Sequence, residues 1–520
     1  MQPLQVVVIG GGAAGFFGAI ACAEAYPQTE VTLLEASRQP LTKVRISGGG
    51  RCNVTHACFD PAGLVQNYPR GGKALRGAFS RFQASDTIKW FASHGVKLKT
   101  EPDGRMFPIT DSSETVVDCL MKAAVNAGVE VRTNAPVVSV TRVLSQKLEK
   151  AVTATEVGWK QIAQVQEPPR LSQISYSNSR VFEVVLKSGE VLQCDRLLLA
   201  TGNSPIGYQI GKSLGHQIEP IVPSLFTFNI LDKQLRELAG VSVKSVQLRL
   251  SVDNTNKLEQ TGPLLMTHWG LSGPAVLKLS AWGARVLHDS RYQATLSINW
   301  LPQLNQEDVR QQLLSVRDEF AKRAIALHRG VDLPHRLWQY LVARAGINLE
   351  DRWAGISNKT LNKLIQELNQ GQYQIQGKGV FKEEFVTCGG VRLSEVNFKT
   401  MESRQVPGLY FAGEILDIDG VTGGFNFQSA WTTARIAGIA MGTREKDGRV
   451  KVEGSSSYFT LLAAPQCLHT AHLYGRTTVR SSPLQTFSGK TRYIASLHTS
   501  HFTPSYFILH TSSFILLLVQ

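Results

Sequence analysis

The chain has 520 residues, too many for one compact core, so two or three domains are expected. Its apolar fraction of 43% and charged fraction of 18% are typical of a soluble globular protein, and its seven scattered cysteines form no CxxC pair, which indicates free thiols in a reducing compartment. The net charge of +14 is spread along the chain without a long run of like charges, which is atypical of nucleic-acid binders and predicts no nucleic-acid partner.

The start of the chain has the pattern of strand, glycine turn, helix and strand. Apolar residues at 4–9 predict the first strand, and the glycine-rich segment 10–15 predicts the turn. A helix of small residues then extends to Ala25, and residues 31–34 form the second strand. This order is typical of the opening of a parallel-sheet dinucleotide fold.

Helices and short strands continue to residue 200. Helices are predicted at 85–94 and from a cap at Ser112 or Ser113 to about Ala127, with a hairpin turn at Asp103-Gly104 between them. Alternating apolar residues predict strands at 137–140, 181–186, 191–192 and 197–200. The polar segment 145–178 interrupts these strands and is expected to be a long surface excursion.

The middle of the chain is rich in strands first and helical afterwards. Strands dominate from 224 to about 300, and helices are predicted at 306–321, 334–345 and 358–368. From Phe385 the chain returns to strand, glycine turn and helix, ending near Gly442. The order indicates a domain inserted between two halves of a dinucleotide fold.

The last segment, 451–520, differs in composition from the rest. It has one acidic residue against five lysines or arginines, and no helical period. We therefore expect 448–520 to be a disordered tail outside the fold. Because the first strand starts at Leu4 and no apolar run approaches the ~18 residues of a membrane span, we expect a cytoplasmic protein without a span; an organelle stays open if the natural chain starts earlier.

The glycine turn matches the GxGxxG fingerprint, and each residue has a physical role. Gly10 permits the tight turn, Gly12 lets backbone N–H groups at Ala13 and Ala14 approach a pyrophosphate, and Gly15 lets helix and strand pack closely. Glu35 ends the next strand, where a carboxylate accepts both ribose hydroxyls of an adenosine and disfavours a 2′-phosphate. The pattern predicts a bound dinucleotide, against the alternative of a merely structural turn.

Two further segments favour FAD over NAD. Residues 197–202 form an apolar strand that leads into the small-residue turn at Thr201-Gly202. Near the end, 408–414 is another strand that leads into Gly413-Glu414, followed by Gly423-Gly424 and a helix. A second helix N-terminus far along the chain suits FAD, whose extended ring system needs contacts remote in sequence.

Four stretches, in the same order, resemble the BaiN/YhiN-like flavoproteins. They are 47–55 (SGGGRCNVT), 103–108 (DGRMFP), 267–274 (THWGLSGP) and 413–426 (GEILDIDGVTGGFN). The resemblance covers residues 4 to about 445 and implies an FAD domain of the glutathione-reductase type with a β-rich and helical insert. It also implies an NAD(P)/FAD-dependent oxidoreductase, with reduction of conjugated double bonds and amine oxidation both assigned to members. The segments 145–178 and 451–520 have no counterpart in that family.

Within the first of these stretches, three consecutive glycines let backbone N–H groups approach an anion or the flavin edge. Arg51 or Lys43 is a candidate to stabilise negative charge on the pyrophosphate or on reduced flavin, and the alternative is that Arg51 pairs with a structural carboxylate. Cys52 lacks a cysteine partner nearby, which favours a packed free thiol over a redox thiol.

His268 is the candidate proton donor, because reduction of an activated double bond needs a hydride on one carbon and a proton on the other. Its position beside Trp269 and a Gly-Pro turn is equally that of a core histidine. Arg105 either faces the substrate or is a solvated arginine, and the second interpretation is favoured.

The sequence therefore predicts an α/β fold: a split, Rossmann-like FAD domain (1–221 and 385–447), an inserted β-rich and helical domain (222–384), and the tail. The predicted reaction passes a hydride through flavin N5 to an activated C=C bond of a small-molecule substrate, with NAD(P)H as a transient donor. The alternatives are an amine oxidase that uses oxygen and a flavin-binding RNA-interacting or scaffold protein. No metal is expected, and the oligomeric state is open.

The predicted catalytic residues are His268 and Arg51. The predicted cofactor-binding residues are Gly10, Gly12, Ala13, Ala14, Gly15, Glu35, Lys43, Gly49, Gly50, Arg51, Cys52, Asn53, Thr201, Gly202, Gly413, Glu414, Gly423, Gly424, Phe425 and Asn426.

Overall fold

The computed structural model describes residues 2–143, 181–252, 256–379 and 386–443, and three short strands in the C-terminal segment. The chain divides into two compact units, Met1–Arg444 and Glu445–Gln520. The first unit contains a seven-stranded sheet, a closed barrel and the helices around them.

The chain begins with the predicted strand, turn, helix and strand. The apolar run of β1 (Gln5–Ile9) is buried, as expected for the centre of a parallel sheet, and α1 (Ala13–Ala25) is buried along most of its length. The following elements are β2 (Glu30–Leu34), α2 (Thr42–Gly50), β3 (Thr55–His56), α3 (Pro61–Val65), α4 (Gly72–Phe79), α5 (Ala84–Ser93), β4 (Leu98–Thr100), β5 (Arg105–Pro108), α6 (Ser113–Asn126), β6 (Glu130–Arg132) and β7 (Val137–Arg142).

After residue 180 the chain returns to the main sheet and then leaves it for the insert. The elements are β8 (Phe182–Leu186), β9 (Val191–Cys194), β10 (Arg196–Leu199), α7 (Pro205–Ser213) and β11 (Ile218–Ser224). Two small antiparallel sheets flank the main one, in the orders β3-β5-β4 and β7-β8-β9. The hairpin predicted at Asp103-Gly104 joins β4 to β5.

The insert is an antiparallel closed barrel with helices, in the strand order β12-β15-β14-β13-β16-β17. Its elements are β12 (Phe228–Ile230), α8 (Lys233–Glu237), β13 (Ser242–Val252), β14 (Asn256–Thr267), β15 (Gly270–Ser272), α9 (Pro274–Trp282), α10 (Ala284–Asp289), β16 (Gln293–Asn299), α11 (Gln306–Glu319), α12 (His335–Arg344), α13 (Asn358–Gln370) and β17 (Gly371–Lys378). Alternate residues Val246, Leu248 and Leu250 of β13 are buried in a core separate from that of the main sheet.

The returning segment completes the main sheet. It contains β18 (Val386–Val391), β19 (Val396–Asn397), β20 (Glu402–Ser403), β21 (Leu409–Phe411) and α14 (Phe425–Gly442). β18 pairs with β11, so the two connections between sheet and barrel run side by side. The strand order is β19-β20-β21-β10-β1-β2-β6, parallel from β21 to β6.

Because parallel strands end at one edge, the turns after β1, β10 and β21 meet there. This edge therefore brings together the GxGxxG turn, Thr201-Gly202 and Gly413-Glu414. The predicted fold class, a split Rossmann-like domain with an inserted β-rich and helical domain, is confirmed.

Glycines allow α1 and α14 to pack closely against each other. A Cβ at Gly438 would lie 2.4 Å from the carbonyl oxygen of Gly18, and one at Gly18 would lie 2.7 Å from Leu198 Cδ2. A larger residue at Gly438 would force the two helices apart, and one at Gly18 would push α1 away from β10. The last helix of the unit is thus fitted against the first.

Two ion pairs join the returning segment to its neighbours. Arg285 of α10 donates to both carboxylate oxygens of Asp417 at 2.9 Å. Arg70 Nε donates to Asp419 Oδ1 at 2.5 Å, and Arg70 Nη1 donates to the carbonyl oxygen of Ala281 in α9 at 2.7 Å. Asp419 is fully buried, so this pair lies in the interior between the sheet and the barrel helices.

The second unit contributes an antiparallel sheet of β22 (Arg480–Pro483), β23 (Tyr493–Ser496) and β24 (Tyr506–Leu509). The remainder of 448–520, and the segment 145–178, lie outside the described residues, so the expected tail and surface excursion stay predictions. The domain boundaries at 221/222 and 384/385 also stay predictions.

Candidate active site

The fingerprint turn has the geometry that a dinucleotide requires. Gly10 has φ +110°, and a Cβ there would lie 2.5 Å from the Ala200 carbonyl oxygen, so only glycine fits. A Cβ at Gly15 would lie 1.8 Å from the Gly10 carbonyl oxygen. In contrast, a Cβ at Gly12 would meet no described atom within 4 Å. The N-terminus of α1 therefore faces open space, where a pyrophosphate can approach its backbone N–H groups.

Glu35 is held in place at the end of β2. Its Oε2 accepts from the Gly11 N–H at 2.8 Å, and its Oε1 accepts from the N–H and the hydroxyl of Ser37 at 2.8 and 2.7 Å. A carboxylate has about four lone-pair sites, so acceptor capacity remains for ribose hydroxyls. The structure thus places the Glu35 carboxylate next to the glycine turn, where the sequence predicted it.

The triple-glycine loop also opens onto free space. Gly48, Gly49 and Gly50 at the end of α2 have φ values of +58°, +69° and +83°, which favour glycine. A Cβ at Gly48 would lie 2.8 Å from the Phe107 ring, whereas a Cβ at Gly49 or Gly50 would meet nothing described within 4 Å. A flat ring can therefore lie against the backbone of Gly49 and Gly50.

The returning segment packs directly onto the fingerprint turn. Gly413 has φ +76°, and a Cβ there would lie 2.7 Å from Ala14 Cβ. Glu414 Oε2 accepts from Lys43 Nζ at 2.6 Å, and the same ammonium donates to Asn203 Oδ1 at 3.0 Å. Residues predicted to bind the cofactor from three parts of the chain thus lie at one edge of the sheet.

The N-terminus of α14 forms the opposite side of the glycine loop. The Asn53 amide, oriented so that its oxygen faces the helix, accepts from the Gly424 N–H at 2.9 Å and donates to the Thr55 carbonyl oxygen at 3.0 Å. The Asn426 amide makes two hydrogen bonds to the backbone of Gly420, at 2.8 and 2.9 Å. Both amides therefore shape the loops, and Gly423, with φ +135°, adopts a backbone conformation there that favours glycine.

Arg51 is paired with carboxylates. Its Nη1 lies 2.7 Å from Glu101 and 3.5 Å from Asp111, and its guanidinium lies 4.0 Å from the centroid of the Phe107 ring. These contacts are the ones expected if Arg51 pairs with a structural carboxylate. They leave about a third of its side chain exposed. Action of Arg51 on the cofactor stays a prediction.

Cys52 is fully buried, and burial raises the pKa of its thiol to about 12. A thiol that is neutral at physiological pH is a poor nucleophile, which fits the packed-thiol interpretation. The six cysteines among the described residues are all free.

His268 lies apart from this cluster. It is exposed in the turn between β14 and β15, at one end of the barrel, beside Trp269, whose side chain is 59% exposed. Within the four described ranges it has no hydrogen bond or ion pair. The structure does not bring it into contact with the glycine loop, and its role as proton donor stays a prediction.

Two further residues, His56 and Lys278, border the site, and neither was predicted from the sequence. His56, one residue beyond the glycine motif, stacks on Phe425 with ring centroids 4.6 Å apart, and its Nε2 lies 3.1 Å from the Asp103 carbonyl oxygen. Burial lowers the pKa of His56, as does the positive charge of Lys278 in α9, while Asp103 acts in the opposite direction. The insert therefore presents a cation to this side of the sheet domain.

A sequence signal for this part of the insert exists in hindsight. Gly273-Pro274 has the proline typical of a first helical position, and it precedes a helix in a stretch predicted to be dominated by strands. With that helix in place, Ala281 lies four positions after Leu277 and three after Lys278, so its side chain neighbours both on the helix surface.

The residues present fit FAD. Open space lies next to the backbone of Gly12, Gly49 and Gly50. The Glu35 carboxylate can accept hydrogen bonds from ribose, and the buried hydroxyl of Thr201 lacks a partner in the described part of the chain. Among the residues described, no group of His, Cys, Asp and Glu could hold a metal ion. No helix of the described segments has the length and apolar character needed to cross a membrane.

Comparison with known proteins adds the following similarities. Residues 4–165 match the family described as HI0933-like protein Rossmann domain, and residues 222–386 match HI0933-like protein barrel and H2TH domain. A ribosomal RNA dihydrouridine synthase of Escherichia coli is 30% identical over 84% of this chain and 97% of its own length. A protein of the same name from Haemophilus influenzae is 28% identical over 85% of this chain and 99% of its own length. A 3-dehydro-bile acid delta(4,6)-reductase of Clostridium scindens is 26% identical over 85% of this chain and 99% of its own length.

Proposed function

This chain belongs to the HI0933-like family and is an FAD-dependent oxidoreductase, and from this premise we propose that it reduces a carbon–carbon double bond conjugated to a carbonyl group. Membership of the family confirms the resemblance to BaiN/YhiN-like flavoproteins. The observation that carries the proposal is the shared chemistry of the relatives' names. A dihydrouridine synthase saturates the C5=C6 bond of uracil, which is conjugated to the C4 carbonyl, and a 3-dehydro delta(4,6)-reductase acts on double bonds conjugated to a ketone.

As substrate we propose a uracil base in ribosomal RNA. Two of the relatives, including the one at 30% identity, carry that activity in their names. The net charge of +14 suits a polyanion, although it is not concentrated in one run. This substrate is the opposite of the sequence-based expectation that no nucleic acid is bound, and the experiment below decides between the two.

The chain's own residues have separable tasks in this reaction. FAD, when bound, accepts a hydride from the proposed donor NAD(P)H and supplies it to the double bond. The N-terminus of α1 binds the pyrophosphate and Glu35 binds the adenosine ribose. Gly49 and Gly50 leave room for the ring, and the N-terminus of α14 places a positive helix end where reduced flavin carries negative charge.

The test incubates the purified holoprotein with NADH or NADPH under argon. The RNA substrate is ribosomal RNA from an Escherichia coli strain that lacks the 30% identical relative, and a parallel reaction contains a steroid 4,6-dien-3-one. Mass spectrometry of digested nucleosides measures dihydrouridine. Its donor-dependent formation supports both parts of the proposal. Reduction of the steroid alone supports the chemistry but assigns a small molecule as substrate, as the sequence analysis expected.

The amine-oxidase alternative makes a different prediction. An oxidase returns electrons from reduced flavin to oxygen rapidly and forms peroxide with an amine substrate, whereas the proposed reductase is reoxidised by its conjugated substrate under argon. Absence of dihydro product from either substrate, with rapid oxygen reoxidation, would overturn the proposal.

A further inference from the structure

The helix α9 presents one face of the insert to the main sheet domain. Leu277 and Ala281 pack against the hydrophobic core of the sheet domain rather than that of the barrel. The carbonyl oxygen of Ala281 accepts a hydrogen bond from Arg70, which belongs to the sheet domain. Lys278 precedes Ala281 by three positions, so the two side chains are neighbours on the helix surface.

The position of Lys278 relative to the flavin site follows from His56. The lysine charge is close enough to the imidazole to oppose its protonation. His56 stacks on Phe425, the first residue of α14, and a Cβ at Gly423 would lie 3.5 Å from the imidazole Cδ2. Lys278 thus lies on the side of His56 and Phe425, and Phe425 is one of the residues predicted to bind the cofactor.

Lys278 differs from the other cations at this junction because no carboxylate of the described residues pairs with it. Lys43 pairs with Glu414, Arg70 with Asp419, and Arg285 with Asp417. Lys278 is half-buried, yet no ion pair or hydrogen bond of its ammonium occurs within residues 2–143, 181–252, 256–379 and 386–443. A partly desolvated charge without a partner is unfavourable, which points to a ligand as the missing partner.

We propose that Lys278 is a catalytic residue that donates a hydrogen bond to the carbonyl oxygen conjugated to the substrate double bond. This inference rests on the proposed function, and it adds the residue that recognises the reacting group. A fixed ammonium in a partly water-excluded site is the kind of group that stabilises an oxygen on which negative charge develops.

The hydride forms a C–H bond at the β-carbon, the π bond of C=C breaks, and its electron pair becomes that of an enolate. The substrate gains two electrons, which the reduced flavin loses. Lys278 keeps its proton and holds the enolate oxygen by a hydrogen bond, and a separate proton, from the predicted donor His268 or from solvent, then forms the C–H bond at the α-carbon. In uracil the oxygen concerned is that of C4.

The first experiment measures binding of an enolate mimic without turnover. Barbiturate is a planar pyrimidine enolate at neutral pH, and its binding to the oxidised holoprotein is followed by the change in flavin absorbance. Lys278→Met should weaken binding by about 10- to 100-fold, the range for losing a hydrogen bond to a charged group, whereas Lys278→Arg should retain most of the affinity. The matched control is Lys244→Met, which removes the same charge from an exposed position on β13 and should bind like the wild type.

The second experiment locates the charge. NMR titration of the His56 imidazole, assigned with His56→Asn, should give a higher pKa in Lys278→Met than in the wild type, because Lys278 opposes protonation. The other charged groups near this ring are Asp103 and, across the strand pair, Arg105, and both are unchanged in that variant. Lys244→Met should leave the pKa unaltered.

The outcomes separate this inference from the proposed function. Weaker barbiturate binding, a raised His56 pKa and slow substrate reduction with normal reduction of the flavin by its donor support the inference. Unchanged affinity and unchanged pKa in Lys278→Met overturn it even if the wild type makes dihydro product. A wild type that binds barbiturate through Lys278 but reduces no conjugated double bond overturns the proposed function and the catalytic role with it.

Discussion

Lys43 Nζ lies 2.6 Å from Glu414 Oε2, although 371 positions separate the two residues in the sequence. The pair joins α2, in the first part of the sheet domain, to the turn after β21, in the last part. With 48% of the lysine and 21% of the glutamate side chain exposed, the pair contributes little to stability, about 0–1 kcal/mol. The pair instead fixes the position of α2 relative to the turn after β21, and both border the expected cofactor.

We therefore expect Lys43→Met to weaken FAD binding while changing the melting temperature of the apoprotein little. Titration of the apoprotein with FAD, followed by quenching of flavin fluorescence, measures the affinity. Lys187→Met, in the exposed turn between β8 and β9, is the matched control for loss of one charge. Equal affinities in the two variants would contradict the positional role.

Glu35→Gln should lower FAD affinity without unfolding the protein. The substitution keeps the shape of the side chain but removes the charge that accepts from Gly11 and Ser37 and, as predicted, from ribose. Loss of charge-assisted hydrogen bonds of about 1.5–3 kcal/mol corresponds to roughly 10- to 100-fold weaker binding. Circular dichroism of the apoprotein provides the control, and a collapsed fold would show that Glu35 is chiefly structural.

Substitution of Arg51 tests its predicted action on the cofactor. If its charge acts on the cofactor, Arg51→Ala lowers FAD affinity or slows flavin reduction, and the apoprotein stays nearly as stable because the pair with Glu101 is partly exposed. Glu101→Gln removes the same ion pair and should leave the flavin chemistry intact. Stopped-flow reduction of both variants decides the matter. Normal flavin chemistry in both would assign Arg51 to the structure.

Arg70→Met should be strongly destabilising, by about 3–5 kcal/mol, because it leaves the buried carboxylate of Asp419 without its counter-ion. The double variant Arg70→Met/Asp419→Asn should recover part of that loss, since no buried charge then remains unpaired. Urea unfolding followed by tryptophan fluorescence measures both. Equal free energies of unfolding in the single and double variants would show that the pair is not coupled.

His268→Asn should retain FAD and its reduction by the donor, and should slow the oxidative half-reaction by about 10²–10⁴-fold if His268 delivers the substrate proton. His288→Asn, another half-exposed histidine of the insert, is the control. An unaltered oxidative half-reaction would place His268 among ordinary surface residues.

The turns at the cofactor edge of the main sheet could be predicted from the sequence, because their motifs depend on local backbone geometry. The positive φ of Gly10 and the carboxylate at the end of β2 are requirements of one turn, so they can be recognised without the rest of the fold. The later turn at Gly413 was predictable for the same reason. The placement of these turns side by side followed from the rule for parallel strands.

Tertiary partners could not be predicted in this way. Glu101, which pairs with Arg51, is 50 positions away, and nothing local marks it. Lys278 was missed because α9 and α10 lie in a stretch where strands dominate, and the apolar residues 275–277 fit a buried strand as well as a buried helix. Its approach to His56 depends on how the insert sits against the sheet.

The close fit of α14 against α1 has a consequence for the order of synthesis. The fingerprint turn leaves the ribosome first, but β21 and α14, which complete the cofactor edge and cover α1, leave it only after the entire barrel has been translated. The barrel has its own core and is made in between. Until residue 442 has emerged, the nascent chain exposes the apolar face of its first helix, so this protein must acquire FAD near the end of translation rather than during it.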